Sequence, residues 1–352
     1  MIRRAKMRLV YVSYLQPSYS RSSVHFDFLS KNKPFDFEIE FKKLPPGLLR
    51  KILPLLNLIF KYRKDKCVFV VMSPASSLVT YLRILGYRRI ILDGGWPLSD
   101  SAEIRKTSKL MKDYVWLIDY ISIHLSKFYI CESNEQRNFV QSKFRVHPDK
   151  LRTIYTGFSE SKIEKKTERE INIENELGAK KYVLFRGKPN VEAGLSTIIK
   201  SAELLEEKIF FVLASPGYKL DYPRKNILLI DKFLSWSEIT RLYRDAFVVI
   251  GQMSDLDRLS RTIPHKFYEA AYFGKAYVTA FSDPIRNLLG NGVFEVQGEN
   301  PTALAEKISL LLDQPQIKEQ AESTMKEVYK NKFNPEVLAN QILEVAREVS
   351  IT

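Results

Sequence analysis

Short runs of apolar, β-branched and aromatic residues recur along the chain, and each is followed by a stretch whose apolar positions return every three or four residues. The first pattern marks buried strands and the second marks amphipathic helices. Strands are expected at 9–15, 35–41, 67–73, 89–93, 128–132 and 151–155, and a second series at 182–186, 209–214, 227–230, 247–251, 276–280 and 293–296. Strand and helix alternating from end to end imply parallel sheets covered by helices on both faces. With 352 residues, the chain exceeds a typical single domain. The expected fold class is therefore α/β, with two doubly wound, Rossmann-like domains at 1–160 and 181–334, joined by a charged linker at 161–180. The last segment, 335–352, places Val337, Leu338, Ile342, Val345 and Val349 on one helix face and is expected to cross back and brace the first domain. Two such domains would leave a cleft at the carboxyl ends of their strands, where doubly wound sheets bind ligands.

Composition narrows the class. Hydrophobic residues at 45% and charged residues at 27% are those of a folded chain rather than a disordered or fibrous one. The basic start, Met1 to Arg8, leads into an apolar run broken at Ser13, too short for a secretory signal, so a cytoplasmic location is expected. No uncharged apolar stretch reaches the roughly 18 to 20 residues a membrane span needs. Cys67 and Cys131 lie in expected strands at a spacing that matches no metal or redox motif, and both read as core.

Charge is lopsided. Residues 1–160 hold 28 Lys or Arg against 14 Asp or Glu, whereas the rest holds 27 of each. The whole excess of +14 sits in the first half. Such a surface attracts phosphate-rich partners, namely nucleic acid, anionic lipid or a pyrophosphate-linked substrate. The interleaved aromatic and basic motif of common RNA modules is missing, so nucleic acid is not expected.

Candidate chemistry concentrates in two segments of the second half. From Arg261 to Ala280, Pro264 suits a helix start and Gly274 a helix end. The start would offer amides at Thr262, Ile263 and His265 beside Arg261 and Lys266, which makes an anion site. Glu269, farther into the helix, would accept hydrogen bonds from a ribose diol. From Tyr182 to Leu195 a strand ends at Arg186 and enters a loop with Gly187, Lys188 and Gly194, the geometry that brings amides and cations up to phosphate.

These segments resemble the glycosyl transferases group 1 family, also called family four, over most of the C-terminal half. The resemblance implies the retaining GT-B type, with the two Rossmann-like domains facing a cleft. It implies a nucleotide-diphosphate sugar as co-substrate, with no other cofactor and no metal. Glu269 matches the family's ribose-binding glutamate, while Arg261 stands where the family has another glutamate. Lys188 matches the cation after the first glycine, and Ala193 stands where a lysine is usual, leaving Arg186, Lys266 or Arg261 to compensate. Such enzymes generally need no nucleophile of their own, so catalysis rests on neutralising the leaving diphosphate, for which Lys188, Lys266, Arg261 and the helix start are the candidates.

The first half matches less well. The loop 16–23 carries hydroxyls and Arg21 but no glycine pair, and the turn 93–97 has no histidine. Asp93 is the candidate for touching the sugar or accepting the acceptor's proton. Between the second and third strands, an apolar stretch is bracketed by Arg50, Lys51, Lys61, Arg63 and Lys64, the composition of a segment lying on an anionic bilayer. The stretch 110–125, with Tyr114, Trp116 and Tyr120, would add a second apolar surface, and peripheral attachment would suit a lipid-linked or glycan acceptor. The departures at Arg261 and Ala193 keep an alternative open, a catalytically impaired nucleotide-sugar-binding partner of another transferase.

Overall fold

The computed structural model describes residues 6–19, 21–47, 50, 52–105, 107–159, 177, 178 and 180–351. The expected linker, apart from 177, 178 and 180, lies outside the described residues, as does Lys51. The chain divides into two units, Met1–Thr156 with Pro335–Thr352, and Gly157–Asn334.

In the first unit the order is β1 (Met7–Ser13), α1 (Ser23–Asn32), β2 (Phe37–Lys43), α2 (Ile52–Lys61), β3 (Cys67–Met72), α3 (Leu78–Ile84), β4 (Ile90–Gly95), α4 (Leu98–Ile104), α5 (Lys109–Leu125), β5 (Phe128–Cys131), α6 (Asn134–Phe144) and β6 (Leu151–Thr153). The second unit runs β7 (Tyr182–Arg186), α7 (Leu195–Leu204), β8 (Phe210–Ala214), β9 (Ile227–Ile230), α8 (Trp236–Asp245), β10 (Val248–Ile250), α9 (His265–Phe273), β11 (Tyr277–Ala280), α10 (Asp283–Leu289), β12 (Phe294–Val296), α11 (Pro301–Asp313) and α12 (Pro315–Val328). A last helix, α13 (Pro335–Ile351), belongs to the first unit. Each expected strand forms within two residues of its expected ends.

Both sheets are parallel throughout, with strand orders β2-β1-β3-β4-β5-β6 and β12-β11-β10-β7-β8-β9. Parallel strands are buried on both faces, so successive residues serve different cores. Val10, Val12, Phe69 and Val71 pack with Leu55, Leu58 and Leu78 from α2 and α3. Their neighbours Leu9, Tyr11, Val68 and Val70 pack instead with Val24 and Leu29 of α1 and with Leu338, Ile342 and Val345 of α13. The final helix is thus a structural layer of the first unit, fastened at its rim by Arg347 to Asp36 at 2.6 Å and by Arg152 to Glu348 at 2.8 Å.

Strand order decides where ligands go. In the second sheet the chain builds outward from β7 through β8 to β9, then returns to lay β10 on the other side of β7. Loops after β7 and β10 therefore leave in opposite directions and open a crevice at the carboxyl ends of these two strands. The segments singled out from the sequence, 186–194 and 261–269, follow those strands.

Ile342 is fully buried in the α13 layer. Ile342→Ala should cost about 3 kcal/mol in denaturant unfolding of the first unit. A loss below about 0.5 kcal/mol, the range of surface substitutions, would show that α13 is not part of that core.

Candidate functional site

Arg186 is the last residue of β7, and its guanidinium reaches Glu269 on α9 with Nε 3.1 Å from Oε2 and Nη2 against Oε1. Tyr243 of α8 donates its hydroxyl to the same Oε2 at 2.6 Å. The Glu269 side chain is only 4% exposed. Burial pushes its carboxyl up, but Arg186 and Tyr243 outweigh that and hold it below the usual range. Three of about four acceptor positions on this carboxylate are taken. A ribose would have to share what is left on Oε1. Trp236 and Phe273 wall the site, the first with its ring 5.7 Å from the Arg186 guanidinium and the second stacked 5.1 Å from Tyr243.

Lys266, in the first turn of α9, is buried but makes no ion pair with any described residue. Its ammonium lies 3.9 Å from the centroid of the Phe185 ring. A Cβ on Gly187 would fall 3.2 Å from Nζ, so the bare backbone of Gly187 makes room for the ammonium. Burial, reinforced by Arg186, pulls the Lys266 pKa down to about 7. The α9 start has no side-chain cap, and Pro264 is the capping residue rather than part of the first turn. A nearly buried cation and an uncapped helix start therefore lie together at the crevice.

The loop after β7 is held rigidly. Asn190 caps the short turn Val191–Ala193 by accepting from the Ala193 amide at 3.0 Å, and Glu192 pairs with Arg258 in the turn Asp257–Arg261. Gly194 adopts φ of +62°, and a Cβ there would meet the Met253 carbonyl carbon at 2.5 Å. Ala193 is buried in the core of this unit, which explains why no lysine stands there. Any longer side chain would have to enter that core. Next to the loop, Arg186, Gly187, Lys188, Lys232, Phe233 and Leu234 line a cavity of about 150 Å³.

The structure thus brings Arg186, Gly187, Lys266 and Glu269 together, with Lys188 on the adjoining cavity. Thr262 and Ile263 lead into α9 and are buried, and the Thr262 carbonyl accepts from Ser282 Oγ at 3.3 Å. Arg261 folds onto its own turn, pairing with Asp257 at 2.5 Å, and no described contact joins it to Lys266 or Lys188. Tyr243 was missed from sequence because its role needs the packing of α8 on α9. Its place on the buried face of an amphipathic helix was the only signal.

Asp93 has a different environment. It is fully buried at the end of β4 and accepts from Arg21, Ser22 and His25, the last at 3.1 Å. Arg21 also binds the Ile154 carbonyl and Thr156 Oγ1, and His25 meets the Tyr11 hydroxyl at 3.0 Å. Burial, with Arg21 adding to it, lowers the His25 pKa to about 3, so the ring is neutral and donates through Nε2. With its two oxygens engaged by Arg21, Ser22 and His25, Asp93 ties the loop after β1 to β4. Among the apolar–basic candidates, Lys61 pairs with Glu40 at 2.7 Å and Arg63 with Asp65 at 3.0 Å, while Arg50 and Lys64 are exposed.

These features define a class, the GT-B fold, in which one chain carries two Rossmann-like domains. HepE of Anabaena, solved with UDP, shares it at 13% identity over 98% of this chain and 100% of that one, with a TM-score of 0.71. Sucrose-phosphate synthase of Thermosynechococcus elongatus is similar at 10% identity over 98% and 99%, with a TM-score of 0.72. The UDP-forming trehalose-phosphate synthase of Burkholderia vietnamiensis matches at 12% identity over 97% of each chain, with a TM-score of 0.67. No protein-family model and no curated protein matches the chain. At such identities the likeness establishes the fold.

Glu269→Leu leaves Arg186 without its carboxylate and should cost about 3 kcal/mol of stability. Tyr243→Phe removes one hydrogen bond and should cost about 1 kcal/mol. Chemical denaturation of both variants checks the order, and an unchanged Glu269→Leu midpoint would contradict the network.

Proposed function

We propose that the chain is a glycosyltransferase that moves a sugar from a nucleotide-diphosphate donor to a glycan or lipid-linked acceptor, with retention of configuration. The observation that carries this is Lys266, a buried cation with no carboxylate partner, set against Gly187 at an uncapped helix start where the strand order reverses. A diphosphate placed there would supply the missing counter-charge. Lys188 and the 150 Å³ cavity beside Phe233 and Leu234 then suit the rest of the nucleotide. That HepE was solved with UDP and with UDP-glucose supports a donor of this chemical class.

In the transfer, the bond between the sugar's anomeric carbon and the diphosphate breaks as the acceptor oxygen bonds to that carbon, and the acceptor's proton passes to the leaving diphosphate oxygen. Negative charge grows on the leaving diphosphate, and Lys266, Lys188 and the α9 amides stabilise it. Arg186 acts by holding Glu269 rather than by facing the phosphates. No metal is assigned a role. Activity should persist in excess EDTA, and its complete loss would overturn metal-independent transfer.

The exposed apolar side chains Leu53, Leu56 and Phe60 on α2 and Leu110, Tyr114 and Leu117 on α5 support peripheral attachment of a cytoplasmic protein to an anionic membrane face, which would suit a lipid-linked acceptor. No described helix is long and apolar enough to cross a membrane. A second function, a nucleotide-sugar-binding partner without turnover, is favoured by the engagement of Arg261 with Asp257 and by the buried Ala193. A thermal-shift screen of nucleotide-sugars followed by nucleotide-release assays, with and without lipid extract, separates the two. Binding without release supports the partner role, and no stabilisation by any donor removes both.

Lys266 also sets a pH dependence. Its free pKa near 7 must rise when a diphosphate approaches. Donor binding should therefore take up a proton just above pH 7, and affinity should fall as pH climbs through that value. Calorimetry in buffers of different ionisation enthalpy measures the uptake. Lys266→Met should abolish it and weaken binding at pH 6.5 by on the order of 10- to 100-fold. Proton-neutral binding in the unmodified protein would mean that the diphosphate does not meet Lys266.

A further inference from the structure

At the end of the first sheet opposite to Asp93 lies a groove of about 960 Å³. It runs along the amino ends of β3 to β6, and its Lys and Arg residues are Lys64, Arg83, Arg88, Arg89, Lys127, Lys150 and Arg152. Doubly wound domains take substrates at the carboxyl ends of their strands, so this groove is not the substrate crevice.

Its positive charge is largely uncompensated. The acidic residues on the lining are Asp65, Asp149 and Glu348. Asp65 pairs with Arg63 at 3.0 Å, and Glu348 holds Arg152 at 2.8 Å. Asp149 lies 3.4 Å from His147. Lys64, Arg83, Arg88, Lys127 and Lys150 make no ion pair with a described residue. Lys150 is half-buried and donates to the His124 carbonyl at 2.6 Å. Burial lowers its pKa, and Arg83 and Lys127 add to that effect, so cations outnumber the carboxylates along the groove.

The rim is apolar. Phe60, near the end of α2, is 89% exposed, and Ile84, at the end of α3, is 76% exposed. Tyr87 locks the two helix ends together by donating to the Leu58 and Tyr62 carbonyls, both at 2.9 Å. Lys64 and Arg88 each follow, four positions on, an exposed apolar residue at one of these two joined helix ends, a combination that an anionic bilayer surface favours over a dissolved anion.

We propose that this groove docks the chain on anionic lipid, with the clustered cations on phosphate headgroups and Phe60 and Ile84 entering the interface. It rests on the membrane attachment put forward above and goes beyond it by naming the contact surface. The test is co-sedimentation of the full chain with vesicles of phosphatidylcholine alone or mixed with phosphatidylglycerol, at low and high salt. The unmodified chain should bind only the mixed vesicles, and less at high salt. The triple variant Arg83→Gln, Arg88→Gln, Lys127→Gln should lose about five-fold per removed charge, on the order of a hundred-fold in all. Phe60→Ser with Ile84→Ser should also weaken binding while leaving all charges in place, and the melting transition of each variant reports its folding.

If the unmodified chain binds no vesicles, membrane attachment itself fails. If it binds and the triple variant binds equally well, the groove alone is overturned. Titration with inorganic triphosphate covers the other source of clustered phosphate. Groove-dependent triphosphate binding without vesicle binding would assign the site to a soluble polyanion and overturn lipid docking.

Discussion

A carboxylate buried at the end of a parallel strand must be neutralised where it stands, and Arg186 with Tyr243 does this for Glu269. That interaction joins β7, α8 and α9 at the place where the strand order of the second sheet reverses. It fixes the first turns of α9 against the loop that follows β7. Arg186 gives its Nε and Nη2 donors to Glu269. Lys266, close by, lies against the Phe185 ring and makes no ion pair with a described residue. The arrangement leaves one cation paired with a carboxylate and a second, buried beside it, without an ion pair to any described residue.

The two units are both parallel six-stranded sheets, but their strand orders differ and so does the use of their carboxyl ends. In the second, the carboxyl end of the central strand carries an unpaired ammonium and a glycine that yields space to it. In the first, the equivalent end of β4 carries a carboxylate so fully engaged by Arg21, Ser22 and His25 that it works as a fastening. Uncompensated charge in the first unit gathers instead at the opposite edge, along the amino ends of β3 to β6. The surplus of basic residues in the first half of the chain therefore does not describe a diffuse surface. Much of it is collected in one groove, while Lys61 and Arg63 are offset by Glu40 and Asp65.

Several residue environments turned on side-chain pairing and packing rather than on position in the chain. Arg261 looked like a phosphate ligand because it precedes a helix start, yet it folds back onto Asp257 within its own turn. Ala193 looked like a lost cation, and the packing shows a position inside the core where a lysine has no place. Asp93 looked like a base because it ends a strand at the usual ligand edge. Its partners, Arg21 on one side and His25 on the other, stand about seventy positions away and carry no local mark of that association.

The amino-acid sequence by itself determined the elements, since each buried strand is a short apolar run and each helix repeats its apolar face, and both are local consequences of burial. It also determined the two-unit α/β class and the location of the α9 start, because Pro264 and Gly274 act on the backbone where they stand. Only the tertiary structure decided which charges are spent and which are left over. Ion pairing depends on distances of a few ångströms between side chains on different elements, and those distances exist only after the sheets have formed. The same residue types that spell a phosphate site thus became, by packing alone, an internal clamp at Arg186, an engaged turn at Arg261 and an unpaired cation at Lys266.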